Sequence, residues 1–171
     1  WEGWIPFDQL PQTYNPEEGY IVTANNKVVS DNYPFFISSD WAPRYRAERI
    51  EELINQFTEG GSKISIEDMI AVQGDQTSRQ AIELLPYLQS VEPEGELHAT
   101  VLDYVVTWDG EMSRDSVAAT IYATWFHQLG MVIFEDELRG DVYEQFADRK
   151  HASFLVTVLE DPDNPWCDNV L

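Results

Sequence analysis

One stretch alone in this sequence reads as β-structure, and a lone strand cannot stand by itself in water. Residues 19–29, GYIVTANNKVV, open on Tyr20, Ile21, Val22 and Thr23, the aromatic and β-branched types that suit a pleated surface. A strand is expected over 19–25, with a possible resumption through Lys27, Val28 and Val29. On a two-residue period Ile21, Thr23 and Asn25 share one face, and Tyr20, Val22 and Ala24 share the other. Beyond about residue 42 the pattern turns helical. The expected fold class is therefore mainly α with a short β element (α+β). Residues 1–40 form a strand and loop segment, and 41–171 form a lobe of about six or seven helices. Partner strands are expected from elsewhere, which makes the chain a piece of something longer. Its start at Trp1, with neither an initiator methionine nor a signal segment, carries the same expectation.

The helical reading is specific. Pro43 suits a first helical turn, and Ile50, Leu53, Ile54 and Phe57 recur at i, i+3, i+4, i+7 until "EGGSK" ends the run. Ser65 and Asp68 have capping-box spacing, with Ile64 and Met69 placed as a hydrophobic staple, so a helix is expected from about 66 to 73. Residues 77–91 are helical in pattern, with a kink or break expected at Pro86. Leu97, Val101, Val105 and Trp108 mark the next helix, and Val117, Ile121, Trp125 and Leu129 mark a long one. Two more are expected around 135–148 and 150–160. No internal repeat or low-complexity segment is visible.

Charge removes whole classes of partner. The 171 residues carry 31 acids against 10 lysines and arginines, a formal charge of −21. Nucleic acids and anionic membrane surfaces are held largely through Lys and Arg, so neither is an expected partner. No run of 18 or more apolar residues is present, and no membrane span is expected. Cys167 is the single cysteine, which excludes a disulfide within the chain and reads as an incidental thiol.

Familiar catalytic signatures are missing from the sequence. His98, His127 and His151 are dispersed, without zinc spacing. "EDPDNPWCD" at 160–168 lacks the glycine and final glutamate of an EF-hand loop. No glycine run opens a helix after a strand as a phosphate cradle would. Ser78 in "DQTSRQ" has no base beside it in sequence and reads as a helix start. That leaves the asparagines that end the β-like run. Asn25 and Asn26 are either a turn, for which asparagine is favoured, or a carboxamide held to donate to a developing negative charge.

The phrases themselves then carry a resemblance. "WEGWIPFDQLP" followed by "YNPEEGYIVTANN" resembles the middle of the β chain of the penicillin acylase (penicillin amidase) family of N-terminal-nucleophile hydrolases. "DNYP" at 31–34, "PRYRAERIEELI", "DQTSRQAIELLPYLQ" and "LDYVVTWDG" continue the likeness over most of the chain, weakening beyond about 140. The resemblance implies an αββα enzyme whose mature β chain begins with a serine nucleophile that uses its own α-amine as base. It implies hydrolysis of a linear amide of an N-acyl compound, such as a β-lactam antibiotic side chain or an acyl homoserine lactone. By position in the motif, Asn25 resembles the asparagine of the family's oxyanion hole, with Asn26 in the turn or behind it. Arg46 resembles an arginine that positions the asparagine or the substrate, with Arg44 as the alternative. No cofactor is required; a structural calcium is possible in the family, with Asp40 or else Asp31 supplying a carboxylate. The implied partners are the remainder of the β chain, the α chain of the same precursor and a small N-acyl substrate. The nucleophile is not in this chain, so the piece alone is expected to be inert. Relatives are commonly exported to the periplasm or beyond, which sets the expected compartment. A non-catalytic helical interaction or scaffold domain is the competing reading.

Overall fold

The computed structural model describes residues 3–147, 152–161 and 163–167. The chain forms two compact units, Trp1–Asp75 and Gln76–Leu171. Among the described residues seven α-helices are present: α1 (Tyr45–Thr58), α2 (Ile66–Gly74), α3 (Arg79–Gln89), α4 (Glu96–Val106), α5 (Val117–Glu135), α6 (Asp141–Ala147) and α7 (Ala152–Glu160). The predominance of helix agrees with the sequence pattern. Among the same residues no strand is formed, and the single β feature is an isolated antiparallel bridge between Thr77 and Glu111.

In the first unit, residues 3–44 contain only a short 3-10 turn, Phe7–Gln9, before α1 begins. The run expected as a strand lies against a helix instead of a neighbouring strand. Tyr20 Oη donates to Asn55 Oδ1 at 3.2 Å, and further along the run Arg46 donates to the Ala24 carbonyl at 2.8 Å. Four extended residue steps cover about 13 Å, and the nine helical steps from Arg46 to Asn55 cover about the same. The β-like run is thus drawn out antiparallel to α1. α1 buries Ala47, Leu53 and Ile54, and α2 packs against it. The start of α2 is the expected capping box: Ser65 Oγ accepts the Asp68 N–H at 3.1 Å and Asp68 Oδ2 accepts the Ser65 N–H at 2.8 Å. Arg49 of α1 then closes on the far end of α2 through a two-pronged pair with Asp75, Nε to Oδ2 at 3.0 Å and Nη2 to Oδ1 at 2.7 Å.

The second unit is a helical core. Leu85, Leu88, Val105 and Ala118 form one buried cluster, with Leu102, Trp108, Ile121 and Trp125 packed against it. Ile133, Phe134, Leu155 and Val158 form another, edged by Phe154, Trp166 and others. Ser78 starts α3 as its cap, accepting the Ala81 N–H at 3.1 Å. Pro86 does not break α3, which runs through it, flanked by buried Leu84, Leu85 and Leu88. Gly110, at φ +86°, is required by close packing as well as by backbone: a Cβ there would meet Ile82 Cγ1 at 2.8 Å.

α5 buries Ala118, Ala119, Tyr122, Ile133 and Phe134, whereas Val117 of the expected stripe is exposed. By length and composition α5 could cross a membrane, although Thr120, Thr124, His127 and Gln128 interrupt its apolar run. Here it serves as the central helix of the unit, packed with α3, α4 and α6.

Candidate active site

The asparagine pair sits in a bend. Asn25 has φ +61°, the left-handed region that a residue with a Cβ enters at a cost, and asparagine enters it more readily than most. The turn reading of "NN" is therefore correct as backbone description. The side chains show what else the turn does.

Four hydrogen bonds define the geometry. Ala42 N–H donates to the Asn25 carbonyl at 2.9 Å, tying the start of α1 to the turn. One guanidinium nitrogen of Arg46, Nη2, donates twice, to the Ala24 carbonyl at 2.8 Å and to Asn25 Oδ1 at 2.8 Å. Asn26 Oδ1 accepts the Ala24 N–H at 2.9 Å. Ala24 is buried, Asn26 half-buried, and Asn25 is exposed.

The arginine decides the orientation of the asparagine carboxamide. A guanidinium has donors only, so the atom facing it must be the amide oxygen. The NH₂ group then faces away from Arg46, and among the described residues it has no acceptor. The arrangement presents two N–H bonds to whatever approaches the exposed side of the turn. An uncharged amide can donate to an oxyanion without a protonation equilibrium of its own.

Arg46 is therefore brought to Asn25. Arg44, the alternative, pairs with Glu48 at 3.4 Å along α1. Asp31 is held by Lys27, whose ammonium donates to Oδ1, and this hydrogen bond keeps the carboxyl below the usual carboxylate range. Asp40 is exposed, its own N–H donating to Ser38 Oγ at 3.0 Å. Calcium takes six to eight oxygen ligands, and among the described residues no cluster of three potential metal ligands exists. Asp31 and Asp40 do not by themselves make up a calcium site. His98 Nδ1 accepts the Glu94 N–H, and His151 lies outside the described residues.

The sequence reading missed the Arg49–Asp75 pair, whose members stand 26 positions apart with no motif around them. It holds the two helices of the first unit and raises the affinity of Arg49 for its proton, chiefly through the Asp75 hydrogen bond. No local signal marks it.

Comparison with known proteins places the chain in a family. The penicillin amidase family model matches residues 1–171, the whole chain. The chain is 37% identical over 71% of its length to a protein named penicillin acylase 2 proenzyme, from Pseudomonas sp. (strain SE83). It is 28% identical over 99% of its length to an acyl-homoserine lactone acylase of Pseudomonas aeruginosa, and 31% identical over 64% to penicillin G acylase of Escherichia coli. The matched regions span 15%, 22% and 13% of those three relatives respectively. Relatives of these names are N-terminal-nucleophile hydrolases that act as acylases. With its full length matched, the chain belongs to the penicillin amidase family.

Proposed function

We propose that this chain is the part of an N-terminal-nucleophile amidohydrolase that supplies the side-chain donor of the oxyanion hole. The whole enzyme cleaves a linear amide of an N-acyl compound. The names of the relatives point to two substrate classes, penicillins and acyl homoserine lactones.

In this reading an N-terminal serine outside the chain attacks the amide carbonyl while its own α-amine takes the hydroxyl proton. The carbonyl oxygen becomes an oxyanion, which Asn25 Nδ2 and a backbone N–H from elsewhere stabilise. The proton is passed to the departing amine, and water then hydrolyses the acyl-enzyme. The observation that carries the reading is the Arg46 bond to Asn25 Oδ1, because it turns the NH₂ group outward and keeps it there. Arg46 acts as a positioning residue. Residues 19–25 join the central sheet of the αββα core in the assembled enzyme, which accounts for their β-type composition. Partners are the remainder of the β chain and the α chain of the same precursor. Asp40 gives a shared calcium one carboxylate at most, the other ligands coming from outside. The chain alone is inert.

The test is Asn25→Ala in the whole precursor, assayed on a penicillin and on an acyl homoserine lactone. Such a donor is worth about 3 kcal/mol in the barrier, so kcat is expected to fall about 10²–10³-fold with the fold intact. Turnover equal to wild type rejects the donor role and leaves the interaction-domain reading.

A further inference from the structure

The Arg46 contact orients the carboxamide of Asn25 but leaves open what holds its backbone. Left-handed φ is unfavourable for any residue with a Cβ, so the turn needs a constraint of its own. The Ala24 N–H to Asn26 Oδ1 bond, 2.9 Å, is the one that bridges across Asn25, from the residue before it to the residue after it. Closing that ring restricts the rotations on both sides of the Asn25 Cα. The bond also gives the N–H of Ala24, a residue 7% exposed, an acceptor within the turn. A backbone N–H only donates, so the end of the Asn26 amide that faces Ala24 is its oxygen, and Nδ2 lies 3.4 Å from the Lys27 carbonyl.

We propose that Asn26 is a positioning residue for Asn25: its side-chain oxygen locks the left-handed turn that aims the Asn25 carboxamide. The two asparagines then divide the work. Asn26 needs an acceptor at Oδ1, and Asn25 needs a donor at Nδ2. The inference rests on the oxyanion reading for its effect on rate, but the hydrogen bond can be tested apart from it.

The experiment compares Asn25→Ala, Asn26→Leu and Asn26→Asp in the whole precursor. Asn26→Leu keeps the shape and removes the acceptor, while Asn26→Asp keeps an acceptor oxygen. Exchange of the Ala24 amide hydrogen is expected to quicken at least about tenfold in Asn26→Leu and to return towards wild type in Asn26→Asp, with or without turnover. kcat per folded molecule is expected to fall about tenfold in Asn26→Leu with KM within about twofold, and to recover in Asn26→Asp. A residue that only stabilised the fold would lower the melting temperature and leave kcat per folded molecule alone, which overturns the proposal. Unaltered Ala24 exchange in Asn26→Leu overturns it as well. If Asn25→Ala retains full turnover, the oxyanion reading fails, whereas loss in Asn25→Ala with none in Asn26→Leu rejects the lock alone.

Discussion

The Asn25 turn and the core of the second unit are held by opposite kinds of force. In the core, Leu84, Val105, Leu155 and Val158 are almost completely removed from water, and their contribution is non-directional area. At the turn, Asn25 is exposed, and geometry comes from four polar bonds aimed at single atoms. The core should tolerate changes of shape but respond strongly in stability to loss of volume. The turn should respond weakly in stability and strongly in rate.

Variants can break this contrast. The largest effect on stability is expected from Leu155→Ala, which removes a fully buried side chain from the α5–α7 cluster. Denaturant unfolding should show a loss of about 2–5 kcal/mol, while turnover per folded molecule stays at the wild-type value. Arg46→Ala should do the reverse. Without the guanidinium the Asn25 amide can rotate, so kcat is expected to fall about 10–100-fold with the unfolding midpoint little changed. A loss of stability as large as that of Leu155→Ala, with kcat preserved, would place Arg46 with the core residues instead.

A smaller effect sharpens the comparison at an exposed polar site without catalytic work. Ser65→Ala removes the α2 cap and should cost about 1 kcal/mol near neutral pH, read from the melting temperature. The Ser65 backbone N–H and, after it, the Ser65 hydroxyl hold the Asp68 carboxyl below its usual value of 3.8, and Ser65→Ala removes only the hydroxyl's share. A depressed folded-state pKa contributes stability above the unfolded value. That contribution disappears as pH falls through the folded value. The gap between wild type and Ser65→Ala should therefore narrow below about pH 4. A gap that widens with acid would contradict the capping account.

The helices were legible because their signals are local. Ser65 with Asp68 and Ser78 ahead of α3 each announce a start within four residues. On α5 the pattern was less informative. Apolar residues nearly surround the helix, so a period could mark Val117, Ile121, Trp125 and Leu129 without revealing that Ala118 and Tyr122 face inward. Residues 19–25 have strand composition, but a ladder needs a partner, and here the run is drawn along α1. Asn25 and Arg46 came from family phrases rather than from physics. Their contact spans 21 positions, and nothing in either neighbourhood indicates that one amide oxygen takes one guanidinium nitrogen. The long-range Arg49–Asp75 pair was invisible for the same reason.

The central claim is that Asn25 acts through its side-chain NH₂ and is not merely a turn former. Asn25→Gly tests it most directly, because glycine accepts the left-handed backbone more easily than asparagine and removes only the carboxamide. In the whole precursor the relief of left-handed strain offsets the looser unfolded chain and the lost Arg46 bond, so the account predicts an unfolding midpoint close to wild type together with a fall in kcat of at least about 100-fold. Wild-type turnover in the Asn25→Gly variant would contradict it.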